Sequence, residues 1–150
     1  ASKRLECLVK GETSLLFRDF AHAPSKVKAT VDAVYNQFLD FEITFCLELH
    51  TFSSLELEFL NQYFDTLKKS CNSIVFYDPV VLKNKNKRPI SEDFVREAFG
   101  HKTLKLFTDE KALMDYLIKK TYEKHVLVFM SSGNFGGIDW EIIKSHIRKF

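Results

Sequence analysis

Two segments, Glu42–Leu49 (EITFCLEL) and His125–Met130 (HVLVFM), place the tightest constraint on how this chain can fold. Both are short and rich in β-branched and aromatic residues, and His125–Met130 is apolar at nearly every position rather than at every second one. A strand with one wet face alternates apolar and polar side chains, whereas a run apolar throughout suits a strand covered on both faces, the usual situation in parallel sheets. Ser73–Tyr77 and Leu104–Phe107 read as further strands. Between the strands the apolar spacing changes to threes and fours. Val27, Val31, Val34, Tyr35 and Phe38 predict an amphipathic helix over Pro24–Leu39; Leu57, Leu60, Phe64 and Leu67 predict one over Ser53–Leu67. Ser91 can cap a helix through Phe99 that Gly100 ends in a left-handed conformation. Ala112, Leu113, Tyr116 and Leu117 predict a helix over Asp109–Lys120, and a last helix runs from Asp139 to the end. At the start, Leu5–Val9 and Ser14–Arg18 are joined by Lys10-Gly11-Glu12-Thr13, which reads as a hairpin with Gly in its turn.

Strands alternating with helices at this spacing predict an α/β, Rossmann-like fold: a mainly parallel sheet of about six strands, helices on both faces, and an N-terminal antiparallel hairpin at one edge. With no repeat, low-complexity tract or Gly/Ser linker, residues 1–150 read as one domain. Right-handed crossovers gather the strand-to-helix loops at one end of a parallel sheet. Asp19–Pro24, Leu49–Ser54 and Ser131–Gly137 then share one rim, the place where open α/β sheets bind ligands.

Composition narrows the function classes. A chain of 150 residues, 45% hydrophobic and with 15 Phe, can bury a core. A net charge of +2 gives no electrostatic footprint for nucleic acid or a membrane surface. No apolar run reaches the roughly 18 residues of a membrane span, and no signal peptide opens the sequence. Cys7, Cys46 and Cys71 have no C-x-x-C spacing, so they indicate neither a disulfide framework nor a zinc site and read as buried free thiols in a reducing cytoplasm. The beginning, Ala1-Ser2-Lys3-Arg4, lacks an initiator Met and runs almost at once into a strand, as expected of a fragment cut at a domain boundary. The basic run Lys83–Arg88 lies in a loop over Asp78–Pro89 and suits either an acidic partner or, better, plain solvation.

The rim loops carry the polar residues. In Asp19-Phe20-Ala21-His22-Ala23-Pro24, Pro24 stops the strand and pre-sets the first helical turn. Asp19 can accept hydrogen bonds from ribose hydroxyls or, alternatively, from backbone amides of its own turn. His22, beside a helix start, can donate to a phosphate oxygen or sit on the surface. Ser131-Ser132-Gly133-Asn134-Phe135-Gly136-Gly137-Ile138 lets backbone amides approach an anion, or makes a tight turn; without a Lys-Ser or Lys-Thr it is not a phosphate loop. Arg4 can neutralise a phosphate or remain a surface residue. His50, followed by Thr51 and Ser53, has no partner in the local sequence that would make it a base. No G-x-S-x-G or H-E-x-x-H string is present, so the rim reads as half of a site.

Taken together, Arg4-Leu5-Glu6, a hairpin, Asp19–Pro24 as D-[FY]-[AG]-H-x-P, Thr30 in the first turns of the following helix and the S-S-G-N-F-G-G-I ending resemble the C-terminal domain of the Mur ligase family. These ATP-dependent enzymes build the peptide stem of bacterial cell-wall precursors. The ending is most similar to the branch that attaches a whole recycled peptide to UDP-N-acetylmuramate (the murein tripeptide ligases); the L-alanine-adding branch is the nearest alternative. The resemblance implies ATP and Mg2+ as cofactors, the Mg2+ held mainly by a central ATPase domain that these residues do not include. It assigns Arg4 to transferring phosphate charge, Asp19 to the ATP ribose and His22 to the phosphates and incoming amine. It assigns the acceptor peptide or amino acid to Ser131, Ser132, Asn134 and Phe135, with His50 beside them. It implies activation of a nucleotide-linked carboxylate as an acyl phosphate, attack by an amine, and closure of this domain on its neighbours; the 150 residues alone are expected to be inactive.

The chain departs from the L-alanine-adding pattern at one place. Where that branch has H-R-[FY]-[ST]-R, this sequence reads His50-Thr51-Phe52-Ser53-Ser54, so both arginines that would bind a single amino acid's carboxylate are missing. Two readings outside cell-wall chemistry compete: a stand-alone nucleotide- or phosphoprotein-binding module of flavodoxin-like shape, and a folate-type polyglutamate ligase. A receiver domain would need a Lys in the last loop, and the F-G-G-I ending argues against the folate branch.

Overall fold

The hairpin forms where the sequence placed it. In the computed structural model, which describes residues 5–50, 57–80 and 90–150, β1 (Leu5–Lys10) pairs antiparallel with β2 (Ser14–Asp19), with a bulge between Cys7 and Val9. β3 (Glu42–Leu49), β4 (Asn72–Tyr77), β5 (Lys105–Phe107) and β6 (His125–Met130) complete a six-stranded sheet of order β1-β2-β6-β3-β4-β5, parallel everywhere except at the hairpin. The last strand therefore inserts between β2 and β3. Strand order reverses there, and in open α/β sheets the carboxyl ends of the strands at such a reversal are where ligands bind.

The helices are α1 (Pro24–Gln37), α2 (Leu57–Leu60, continued by a 3-10 turn Asn61–Tyr63), α3 (Glu92–Phe99), α4 (Glu110–Ile118) and α5 (Trp140–Ile147). Ser91 caps α3 through the Phe94 amide at 3.2 Å, and Gly100 closes it at φ 65°. Because successive strand residues point to opposite faces, the core is split in two. Ile43, Phe45, Leu47, Val126 and Val128 meet Val27, Val31 and Val34 of α1 and Val95 and Phe99 of α3. Cys46, Leu127 and Phe129 meet Leu113 and Leu117 of α4 and Ile143 and Ile147 of α5. Each such fully buried branched side chain contributes roughly 1.5–3 kcal/mol.

Four sequence expectations need correction. The helix predicted over Ser53–Leu67 ends at Tyr63; residues 51–56 lie outside the described residues. Asp65 turns to φ 60° and its amide donates to the Phe99 carbonyl at 3.1 Å, tying the chain to α3. Leu60, Tyr63 and Leu67 are still buried, so the apolar spacing is satisfied by a turn instead of a continuing helix. α1 stops at Gln37 because Phe38 folds back onto the core and leaves Leu39 exposed, and α5 stops at Ile147 rather than at the chain end. The thiols are free, but only Cys46 is buried; Cys71 is half-buried and Cys7 is exposed on the edge strand. Burial pushes the Cys46 thiol well up. Among the described residues, no helix is long and apolar enough to cross a membrane.

Candidate functional site

Three adjacent strands, β2, β6 and β3, deliver the three loops that the sequence placed on one rim. Asp19, the last residue of β2, lies opposite Met130 of β6, and the Ser131 amide donates to the Asp19 carbonyl at 3.0 Å. The two motif loops thus leave the sheet side by side.

The Asp19 side chain is buried. Its Oδ1 accepts from the Ala21 amide at 2.8 Å and its Oδ2 from the Thr30 hydroxyl at 2.9 Å. Asp19 therefore locks the Asp19–Pro24 turn to α1, and Thr30 is explained as its partner one helical turn and a half into α1. His22 is half-buried; its Nδ1 donates to the Phe20 carbonyl at 2.9 Å, which fixes the ring. Tyr63 donates through its hydroxyl to the His22 carbonyl. α1 then begins at Ala23 and Pro24 with no side-chain cap. An uncapped helix start presents backbone N–H groups and positive potential to an anion.

Glu48, which sequence reasoning passed over, is the hub of the other loop. Its buried Oε1 accepts from the Ser131 hydroxyl at 2.5 Å and from the Phe135 amide at 3.0 Å. Ser131 Oγ in turn accepts from the Gly133 amide at 2.7 Å. Oε2 faces His50 Nδ1 at 3.7 Å, with the imidazole exposed. The loop continues through three left-handed residues, Phe135 (φ 57°), Gly136 (φ 70°) and Gly137 (φ 89°). This turn drives the Phe135 ring into the core, 5.1 Å from Phe129 and 6.0 Å from Phe76. Ser132 and Asn134 stay exposed.

Arg18, also unmarked by the sequence reading, holds the loop from β2. Its guanidinium donates to the Gly133 carbonyl at 2.9 Å and lies 4.6 Å over the Trp140 ring and 5.9 Å from that of Phe20. Of the residues expected at the site, the rim brings together Asp19, His22, His50, Ser131, Ser132 and Asn134. Phe135 contributes its amide rather than its ring, and Asp19 and Ser131 are engaged beneath the surface. Arg4, Thr51, Ser53 and the run Lys83–Arg88 lie outside the described residues. The Glu48 signal was present: residues two apart on a strand share a face, so E-x-H at a strand end places a carboxylate beside an imidazole. Among the described residues, no three His, Cys, Asp or Glu side chains are arranged to hold a metal ion.

The fold is a Rossmann-like α/β domain in which the ends of β2, β6 and β3 bring the motif loops to one rim. No family model matches the sequence. Solved structures narrow the fold further. A domain assigned to a UDP-N-acetylmuramate:L-alanyl-γ-D-glutamyl-meso-diaminopimelate ligase of Haemophilus ducreyi is 21% identical, with 95% of this chain and 99% of that one covered at a TM-score of 0.63. The murein peptide ligase of Psychrobacter arcticus is 15% identical, with 99% of this chain and 30% of that one covered at a TM-score of 0.70. The UDP-N-acetylmuramate–alanine ligase of Thermotoga maritima is 14% identical, covered over 99% and 29% at a TM-score of 0.58. The chain has the fold of the Mur ligase C-terminal domain and spans under a third of the two longer ligases.

Proposed function

We propose that this chain is the C-terminal domain of an ATP-dependent ligase that joins a peptide or amino acid to UDP-N-acetylmuramate through an amide bond in the cytoplasm. The observation that carries this reading is the adjacency of the D-F-A-H-A-P and S-S-G-N-F-G-G-I loops on β2 and β6, tied by the Ser131–Asp19 hydrogen bond. Sequence resemblance marks both loops, and the sheet order places them on one rim.

The residues present fit a nucleotide polyphosphate. The uncapped start of α1 supplies donors to phosphate oxygens, His22 adds an Nε2 donor when it binds phosphate as the imidazolium, and Asp19 ties the turn that carries both to α1. ATP supplies the phosphoryl group that activates the carboxylate, with Mg2+ held by a neighbouring domain. Arg4 stabilises the transferring charge from across the cleft. Ser132 and Asn134 contact the acceptor directly, and Ser131 and Phe135 shape its loop through Glu48. The missing arginines after His50 favour a peptide acceptor over a single amino acid.

The test is an assay of a polypeptide that joins this chain to an ATPase domain, with UDP-N-acetylmuramate, ATP and either a tripeptide or L-alanine. ADP release that depends on both substrates is expected, with Asp19→Ala raising the KM for ATP and Arg4→Ala lowering kcat. Absence of amide product with every acceptor would remove the ligase reading and leave a nucleotide-binding module.

A further inference from the structure

We propose that Glu48 and His50 form a carboxylate–imidazole pair that takes the proton from the incoming acceptor amine, an assignment that rests on the ligase reading above. His50 would be the catalytic residue and Glu48 a positioning residue.

The geometry assigns the two roles unequally. Glu48 is buried and cannot reorient: one oxygen is held by the Ser131 hydroxyl and the Phe135 amide. The other oxygen faces His50 Nδ1 at 3.7 Å. That separation is longer than a hydrogen bond, but it is close enough for the carboxylate to favour a proton on Nδ1, and such contacts tighten when a site closes. A proton on Nδ1 leaves the lone pair on Nε2, and the ring is exposed at the rim. Gly133 supports the other side of the ring. A Cβ built there would lie 2.8 Å from His50 Cγ and 2.9 Å from Nδ1, so the imidazole rests on a backbone that only glycine leaves clear. Arg18 pins that same residue by its carbonyl. A surface histidine with no task would need neither a buried carboxylate behind it nor a glycine beneath it.

The proton count closes. The acceptor arrives as R–NH3+, and Nε2 of neutral His50 takes one proton, leaving an imidazolium beside the Glu48 carboxylate. The freed amine lone pair attacks the carbonyl carbon of the acyl phosphate. The C–N bond forms, the C–O bond to phosphate breaks, and phosphate departs with the proton the amide nitrogen sheds. His50 then returns its proton to water.

Two measurements test this. In the polypeptide that joins this chain to an ATPase domain, His50→Gln is expected to lower kcat by about 100-fold with the KM for ATP little changed, and Glu48→Gln to lower kcat as well. With hydroxylamine as acceptor, already neutral at physiological pH, the His50→Gln defect is expected to vanish. An equal defect with both acceptors, or no defect with the peptide, overturns the proposal while amide formation by the unmodified enzyme upholds the ligase reading. No amide or hydroxamate from the unmodified enzyme instead overturns the ligase reading, and this mechanism with it. Independently of activity, 15N NMR of the 150-residue chain in the neutral-imidazole form is expected to show the His50 proton on Nδ1, shifting toward Nε2 in Glu48→Gln; an Nε2 proton in the unmodified chain overturns the pairing.

Discussion

Strand β3 carries a carboxylate–imidazole pair at each end, and the two are built inside out. At its start, Glu42 is 65% exposed and lies 3.1 Å from Nδ1 of a His125 only 1% exposed. At its far end, Glu48 is 6% exposed and His50 is 53% exposed. His125 is enclosed: the Thr44 hydroxyl sits 2.8 Å from its Nε2 and the Tyr122 ring 4.8 Å away. The chain end also closes over that side of the sheet, with Ser14 donating to the Ile147 carbonyl at 2.9 Å and the Thr13 amide to the Phe150 carbonyl at 2.6 Å. Where the proton carrier is buried and both its nitrogens are engaged, the pair can only fasten strands together. Where the carboxylate is buried and the imidazole is open, it can exchange a proton with something that arrives.

The largest effect should separate the two carboxylates. Glu48→Ala strips the acceptor from the buried Ser131 hydroxyl and Phe135 amide and is expected to lower stability by about 3 kcal/mol. Glu42→Ala removes a largely exposed carboxylate but leaves Nδ1 of the buried His125 without that partner, and should cost about 1 kcal/mol. Denaturant melts of both variants of the 150-residue chain check this, and equal losses would erase the contrast.

The imidazoles should separate by pH. Burial lowers the His125 pKa to about 4, with Glu42 opposing part of the drop. Its unfolded value is about 6.5, so the unfolded chain binds the extra proton between the two values. Stability is therefore full above pH 6.5 and declines as pH falls toward 4, by up to about 3 kcal/mol from this residue. His101, lowered by burial as well, adds a slope of the same sign. Denaturation midpoints in acid should decline less steeply in His125→Gln; an unchanged slope would mean that His125 is not what loses stability there.

Both ends of β3 were unequally legible in the sequence. The strand itself, the rim and the hairpin follow from apolar period and from the crossover rule, which need only local information. Thr30 and Asp19 stood eleven residues apart within one motif, so their bond lay within reach of a motif reading. The spacing of Glu48 to His50 was readable, but its role as a hub was not, because its partners Ser131 and Phe135 are 83 and 87 residues away and one charge in an otherwise apolar run reads as an interruption. Arg18 was hidden for the same reason: Gly133 is 115 residues distant. The helix over Ser53–Leu67 failed because apolar spacing cannot distinguish a helix from a turn that buries the same side chains, and the contact that ends it, Asp65 to Phe99, is long-range.

A smaller effect sharpens the rim side. Arg18→Ala loses the Gly133 hydrogen bond and the stack on Trp140, and is expected to cost about 1–2 kcal/mol. Arg18→Lys keeps the charge but not the planar stack, so it should recover only part of that loss. Full recovery would show that charge alone holds the loop.

The smallest effect contrasts two helix starts. At α5, Asp139 accepts from the Glu141 and Ile142 amides, as a stabilising cap does. At α1, Ala23 sits in the extended conformation a cap requires, φ −72° and ψ 147°, yet it offers no side-chain acceptor. Ala23→Ser should therefore raise the stability of the isolated chain by about 0.5–1 kcal/mol. The position lies on the rim between His22 and Pro24, where the proposed nucleotide site uses the same amides. In the joined ligase the substitution is then expected to raise the KM for ATP, because the new hydroxyl competes for donors that phosphate oxygens would take. A gain in stability with the KM unchanged would place the phosphates away from α1. A loss of stability would mean that the α1 start is held by contacts a serine disturbs. A gain on both counts would make this end of the molecule what the His125 end already is, a place where every donor is spent on the fold.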